Sequence, residues 1–525
     1  MNTAIQAFRK NRTLWITLAV LLMLFILAIQ GMSTQDWVIT LLRGLSVGAV
    51  TFLVASGFSL IFGLLDVLNL AHGTLFMIGA YVGWSIYVRP DTFIDLVTPA
   101  VLLIASFVLM PVWERVAERL RTSRSTARVW PWIGLLGAIA LLVLTLPRYP
   151  VTIWDPEVYA NSPVTNAFMA DQGQFVLPEP VPFKGVSPAT VLTGILAGSL
   201  LLALSLAGFS RMRSRAPQTS RAWKDFPWRS ILIFLSLVLV GIIVFIFNTP
   251  ISLWLHNLNT TWMFLIAMLG ATLIGIGLGA LMEITLIRPL YSRPIYQLML
   301  TLGLSAIGIE IVRAIWGRPE FTMPKPSLFN GTGQGCPATS LADLVANKCS
   351  TISLLGGRVR TYNEIFIPLV GIVVLVVVWI LLQRTRIGMI IRAGVQDREM
   401  VEALGINVRR VFTLVFALGV GLAALGGVLA GPSMGLSSGM GENLLLNALI
   451  ALAIGGLTSY PGAAAGSLLV GLMQQFIIKY GQIGIHLPFL AEPLKPTPPL
   501  VPASTVLLMV IVLLVLPQGL FGRKE

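Results

Sequence analysis

Ile365-Phe366-Ile367-Pro368-Leu369-Val370-Gly371-Ile372-Val373-Val374-Leu375-Val376-Val377-Val378-Trp379-Ile380-Leu381-Leu382 carries no charge, and Gln383-Arg384-Thr385-Arg386 follows at once. About 20 mostly apolar residues in a helix cross the hydrocarbon core of a bilayer, and a basic segment beside such a run marks its cytoplasmic side. Runs of this kind recur along the chain, at 14–30, 38–64, 67–88, 97–112, 131–147, 189–210 and 230–247 before it, with 262–282 and 298–316 nearer to it. Beyond it lie 411–431, 443–458, 462–480 and 504–517. The expected fold is therefore an all-α polytopic membrane protein, a multi-span helical bundle of about 12–14 hydrophobic segments. Three of them, 131–147, 443–458 and 504–517, are short enough to be re-entrant or half-helices.

Composition agrees with that reading. Of 525 residues, 56% are hydrophobic and only 11% charged, with a mean hydropathy of +0.85. Soluble domains carry roughly 25% charged residues, so a soluble multidomain enzyme, a disordered chain and a disulfide scaffold are all excluded. The net charge of +14 would point to nucleic acid in a soluble protein. Here its distribution decides. If the chain starts inside and alternates, the inside segments are 1–13, 113–130, 211–229, 283–297, 383–410 and 518–525, and they hold 24 of the 36 Lys and Arg residues. Both termini are then cytoplasmic, the charge excess is a topology signal, and no nucleic-acid partner is expected. Arg9, Lys10 and Arg12 precede Leu14–Gln30, which ends without a small-x-small cleavage pattern, so the first run reads as an uncleaved span.

Reactive residues are sparse. The histidines are His72, His256 and His486 and the cysteines Cys336 and Cys349, too few for a multi-ligand metal site. The two cysteines fall in the long external segment 317–364, where a disulfide and two separate thiols are equally open readings. Gly435-Leu436-Ser437-Ser438-Gly439 fits a nucleophile-elbow pattern only formally, because no strand, base or acid accompanies it. Gly419, Gly421 and Ala424 match a dinucleotide fingerprint inside an apolar span and read as packing. None of the eight lysines is followed by Ser or Thr, so the chain has no Walker A loop. Any ATP-driven engine is a separate chain, and no cofactor is expected on this one.

Three polar features stand out against the apolar background. Asp66, Asn69 and His72 recur every three residues between two spans, bracketed by Gly63 and Gly73. Polar groups at membrane depth usually face a cavity or partner, so Asp66, Asn69, His72 and Gly73 are candidates for a translocation path. The competing reading is a turn at the inner surface. The run Gly431-Pro432-Ser433-Met434-Gly435-Leu436-Ser437-Ser438-Gly439-Met440-Gly441 is expected not to be helical. Gly44/Gly48, Gly79/Gly83, Gly275/Gly279, Gly427/Gly431 and Gly462/Gly466 have the spacing that lets helices approach closely in lipid.

The third feature is 383–410. Ala393, Met400, Ala403 and Leu404 are spaced as one face of a short helix, and Arg392, Asp397, Arg398, Glu399 and Glu402 occupy the rest. Gly405 suits the left-handed residue that ends such a helix. A short amphipathic helix of this kind is a docking element for a cytoplasmic partner or a solvated loop anchored at the interface.

Four blocks of the sequence resemble the permeases of branched-chain amino-acid ABC transporters, specifically the LivH-type membrane subunit. The first is Ser59–Tyr81, with Asn69-Leu70-Ala71-His72-Gly73 and Met77-Ile78-Gly79-Ala80-Tyr81. The second is Glu283–Ser305, with Arg288-Pro289-Leu290-Tyr291-Ser292-Arg293-Pro294. Arg392, Ala393, Asp397, Met400, Gly405 and Ile406 form the third, and Gly455–Ala463 with Pro517–Arg523 the fourth. The resemblance covers 37–90 and 262–525. It leaves an extra N-terminal span in 1–36 and an insertion with about four spans, 91–261, without counterpart.

The resemblance implies a multi-pass subunit of the bacterial plasma (inner) membrane. Its implied partners are a second permease subunit, two cytoplasmic ATP-binding subunits and an extracytoplasmic solute-binding protein. It also implies that 392–406 is the ATPase-coupling loop, and that this chain is a transport subunit and not an enzyme, with ATP bound on its partners. Branched-chain amino acids are the implied solutes, with urea and amides handled by related permeases. A stand-alone channel or secondary transporter, with Asp66, Asn69 and His72 as its binding residues, is the alternative class. An intramembrane hydrolase using Ser437 ranks last.

Overall fold

A computed structural model describes residues 31–119, 124–151, 186–213, 227–291, 293–318, 320, 322–396, 398–403, 405–485 and 492–522, with 19, 20, 22, 23 and 26. Most of the first run, 14–30, lies outside them. The described residues are mostly helical. In chain order the helices begin with α1 Thr34–Leu65, α2 His72–Val88, α3 Pro90–Val108, α4 Met110–Arg119, α5 Arg124–Thr145, α6 Pro188–Arg213, α7 Trp228–Ile246 and α8 Asn248–His256. There follow α9 Thr260–Met282, α10 Pro294–Trp316, α11 Leu341–Asn347, α12 Ile367–Arg384, α13 Arg386–Gln396 and α14 Arg398–Ala403. The last four are α15 Val408–Met434, α16 Met440–Gly455, α17 Tyr460–Ile483 and α18 Leu500–Val515. Among the described residues ten helical segments are long and apolar enough to cross a membrane, and α16 and α18 are shorter apolar helices. The protein is a polytopic helical membrane protein.

Two expectations change. The 131–147 run is not a short helix: α5 begins at Arg124 and its apolar stretch extends over Arg128–Arg148. Polar and basic residues supply the extra turns, which an apolarity criterion leaves out. The glycine-rich run is also partly helical. α15 continues through Gly431, Pro432, Ser433 and Met434 and stops at Gly435, whose φ of +75° is the left-handed conformation that glycine adopts without strain. Gly435 N–H closes the last turn onto Gly431 C=O at 2.9 Å.

Two compact units form among the described residues, one of 31–87 with 259–522 and the other of 88–151 with 186–258. The first unit is built around α1 and α15. Every residue of α1 from Val50 to Ser59 is buried, as are most of α15 from Val415 to Gly431. Helices buried on all sides are central ones. Close backbone approach makes this possible. A Cβ on Gly427 of α15 would lie 2.1 Å from Phe76 C=O of α2, and one on Gly466 of α17 would lie 1.9 Å from Ala451 C=O of α16. Gly44 and Gly48 of α1 likewise meet the backbone of α17 at Leu472 and Leu468. With no hydrophobic effect to drive helices together inside lipid, contacts of this closeness hold them. Outward faces stay apolar, with Leu369 and Val377 of α12 more than half exposed.

Between α10 and α12 the fold departs from all-helical. Thr351–Leu354 and Gly357–Arg360 form an antiparallel hairpin, β1 and β2, with Thr351 opposite Arg360 and Leu354 opposite Gly357. Cys336 and Cys349 are joined by a disulfide, 5.5 Å apart between Cα atoms. Ala338, Leu344, Cys349, Ile352 and Val359 make a small core here, and Ile39 and Leu42 of α1 pack against it. At the other end of α1, Leu64 packs with Ile391, Val401, Val408, Phe412 and Val415.

In the second unit α3 packs on α6 and α7, and α5 packs along α6. Leu102, Tyr149, Val191 and Ile195 form its core, and Ser106 and Ser199 share a hydrogen bond of 2.7 Å across α3 and α6. Arg89 donates to Asp91 at 2.9 and 2.5 Å, and Asn248 donates to Asp95 at 2.7 Å, so its buried charges are partnered.

Candidate functional site

The turn between α1 and α2 sorts its polar residues by depth. Asp66 caps α1 in the left-handed region, φ 52°, and its side chain is exposed. Asn69 and His72 are fully buried. His72 starts α2, and its Nε2 lies 3.2 Å from Val54 C=O. A carbonyl only accepts, so Nε2 carries the proton and Nδ1 is left as an acceptor. Neither His72 Nδ1 nor the Asn69 amide has a hydrogen-bond partner among the described residues. Gly73 sits where a Cβ would come within 2.3 Å of Gly441 C=O, so its place is a backbone contact with α16. Thr301 of α10 accepts from Leu70 N–H at 3.3 Å, and Thr74 and Ser305 are 2.5 Å apart. The 59–81 and 283–305 stretches thereby meet in space.

A second polar cluster closes the end of α9. A single π-helical turn, Glu283–Ile287, places Glu283 fully inside. Arg288 donates to its two oxygens at 3.1 and 2.7 Å, Tyr291 at 2.7 Å and Thr413 at 2.7 Å. Every lone-pair direction of the carboxylate is used, the condition under which a buried charge is tolerated.

The 386–407 segment forms two short helices, α13 and α14, and not the single helix of the sequence reading. Asp397, between them, and Leu404 lie outside the described residues, and for Arg398 and Glu399 only the backbone is described. The expected apolar face also differs. Met400 is 64% exposed and Ala403 is exposed, whereas Ile391 and Val401 are buried against Leu64 and Phe412. Within Arg398–Ala403 it is Val401 and not its neighbour Met400 that turns inward, so the spacing of Ala393, Met400 and Ala403 selects the wrong side. Arg392 is exposed and bonded to Gln383, Ala393 packs partly against the buried cluster, and Glu402 is exposed. Gly405 ends α14 with φ +79° and its N–H on Glu402 C=O at 3.0 Å. The segment thus presents a mixed polar and apolar surface seated on the joined ends of α1 and α15.

A polar cleft of about 390 Å³ opens between α1, α15, α16, α17 and a second π-helical turn, Tyr362–Phe366. Arg43 of α1 donates its Nε to Glu364 at 2.9 Å, and the other Glu364 oxygen accepts from the Arg360 backbone N–H. Glu364 is 2% exposed and Arg43 40%. Asn363 accepts from Ser433 at 3.0 Å, and Gln474 donates to Asn447 at 3.1 Å. Nearby, burial and then the Arg360 guanidinium lower the Lys325 ammonium from its ordinary value, with Glu364 opposing. None of Asp66, Asn69, His72 and Gly73 lines this cleft. The sequence reading passed over Arg43 and Glu364; the available signal was a lone arginine inside the 38–64 span.

Comparisons with known proteins converge on one group. Residues 240–517 match the family model described as branched-chain amino acid transport system / permease component. The high-affinity branched-chain amino acid transport system permease protein LivH of Salmonella typhimurium is 28% identical over 283 residues, 52% of this chain and 80% of its own length. LivH of Escherichia coli K12 gives the same identity and coverage. The permease protein BraD of Pseudomonas aeruginosa is 31% identical over 185 residues, 33% of this chain and 52% of its own. No solved structure matches.

Proposed function

Because the chain belongs to the branched-chain amino acid transport system permease family, we propose that it is the membrane-spanning permease of an ABC importer in the bacterial inner membrane. It translocates branched-chain amino acids or a similar small polar solute delivered by an extracytoplasmic binding protein. A second permease subunit completes the passage, and two cytoplasmic ATP-binding subunits drive it. The observation that carries the reading is the family match over 240–517, which takes in the 386–407 segment and α15, one of the two helices on which it is seated. The lack of a Walker A lysine in the chain is consistent with ATP bound elsewhere.

In this reading α13 and α14 are the ATPase-docking element. Ile391 and Val401 anchor them to α1 and α15, so a push on their exposed side is delivered to the two central helices. The test neutralises Arg392, Asp397, Arg398 and Glu399 together. ATPase co-purification and ATP-dependent uptake should both be lost while the spans remain folded. Unchanged co-purification overturns the docking assignment, and solute uptake by vesicles containing this chain alone overturns the importer reading.

A further inference from the structure

We propose that the cleft around Arg43 binds a zwitterionic aliphatic amino acid, with the Arg43 guanidinium on its carboxylate and the amide oxygens of Asn447 and Gln475 on its ammonium. The inference rests on the importer reading for the identity of the traffic and adds where in this chain the solute is held.

The geometry of the Arg43–Glu364 pair is the starting point. Glu364 spends one oxygen on Arg43 Nε and the other on the Arg360 backbone N–H, and it is almost wholly buried. It is a positioning residue: each of its oxygens is held by a protein donor, its carboxylate is almost wholly buried, and it fixes the plane of the guanidinium. Among the described residues Glu364 is the acceptor bonded to Arg43, and the bond uses Nε. The Nη edge remains, and a guanidinium edge held in one plane is suited to a carboxylate taken two oxygens at a time.

Charge selects the ligand class. Arg43, Arg360 and Glu364 are the charged residues lining the cleft, two cations against one anion. The excess cation calls for a carboxylate as its local partner, which a zwitterionic amino acid supplies and urea or a neutral amide does not. Asn447 and Gln475 line the same space as uncharged acceptors, which suit an ammonium group in a cleft whose carboxylate is already occupied. Val47, Val50 and Leu444 supply an apolar wall for an aliphatic side chain. The volume lies in the range of about 300–1,000 Å³ usual for small-molecule sites.

The experiment uses the two native cysteines, which are consumed by their disulfide, so that Ser46→Cys on the cleft wall places the sole free thiol there. Maleimide labelling is followed in membranes holding the full chain, with saturating L-leucine, L-leucinamide or 4-methylpentanoate. L-leucine should slow labelling by about tenfold, a difference of about 1.4 kcal/mol in occupancy. L-leucinamide, which lacks the carboxylate, should leave it unchanged, and 4-methylpentanoate should protect only weakly. Adding Arg43→Gln with Glu364→Gln, which removes both charges together, should abolish the protection. Where that pair does not reach the membrane, Arg43→Lys keeps the charge without the planar edge and should weaken protection. Equal protection by leucine and leucinamide, no protection by leucine, or protection that survives loss of the guanidinium overturns the proposal. Labelling needs neither ATPase nor binding protein. Failure here leaves the importer reading standing, and absent ATP-dependent uptake alongside intact leucine protection sinks that reading and leaves the site.

Discussion

Thr413, in the second turn of α15, donates to Glu283 Oε2 at 2.7 Å and so ties the central helix to the π-helical turn that ends α9. Arg288 bonds both residues, at 2.7 Å to Glu283 and 2.6 Å to Thr413. Glu283 is fully buried and Arg288 is 31% exposed. Removing one member of a buried charge pair leaves the other uncompensated and costs about 3–5 kcal/mol. Glu283→Ala should therefore lower thermal stability in detergent markedly, and Arg288→Ala should do the same. The double variant should fall short of the sum by about 1–3 kcal/mol; additive losses would show that the pair is not coupled.

Two glycines of neighbouring spans should respond with opposite signs. A Cβ at Gly427 meets Phe76 C=O at 2.1 Å, and neither backbone has room to give, so Gly427→Ala should cost about 1–3 kcal/mol. Gly277 of α9 has nothing within 4 Å of the added atom, and Gly277→Ala should be neutral or stabilise by about 0.5–1 kcal/mol through the helix itself. Melting temperatures of the two purified variants decide it, and a drop for Gly277→Ala as large as that for Gly427→Ala would refute the packing account.

The docking segment separates anchoring from contact. Ile391→Ala empties a buried position and should cost about 2–5 kcal/mol. Met400→Ala, at an exposed position, should shift stability by less than about 0.5 kcal/mol yet reduce the amount of ATPase recovered with the complex. Recovery unaffected by Met400→Ala, with Ile391→Ala equally harmless to the fold, would contradict this division.

Acid should open the capping box of α11. Hydrogen bonds from Thr339 and then Ser340 hold the Asp343 carboxyl below its ordinary value of 3.8. A carboxyl with a depressed folded value stabilises above its unfolded value and loses that contribution as pH falls through the folded one. Amide exchange across Leu341–Asn347 should accordingly be slow and flat with opening at neutral pH, and opening should rise below about pH 4. Asp343→Asn should remove that acid step, and its persistence in the variant would assign the step to another group.

What could be read from the chain beforehand follows from scale. The spans were legible because each is a long run with one physical requirement, and Ile365–Leu382 needs no neighbour to be recognised as membrane-crossing. Gly405 was legible too, since a left-handed helix end is a local demand. Arg43 and Glu364 are 321 residues apart, and nothing local to either states that they meet. The exposure of Met400 was misjudged because which side of α14 turns inward is set by its packing on Leu64 and Phe412, which spacing along the segment does not state. The helical course of α15 through Pro432 is likewise a tertiary outcome. Proline removes a donor near the helix end, where the packed face of α15 already holds the chain in place.

α1 spans 32 residues, about 48 Å at 1.5 Å per residue. Near its start it is gripped through Ile39 and Leu42 by the small core shared by the disulfide-closed loop and the hairpin, and at its far end by Ile391 through Leu64. Between the grips its middle is buried all round, which makes it a fulcrum. Tilted as a rigid rod by about 5° about its centre, it would carry each tip about 2 Å in opposite directions. Arg43 sits on the arm nearer the hairpin and Leu64 on the other, so such a tilt would change the width of the cleft and the seat of α13 together.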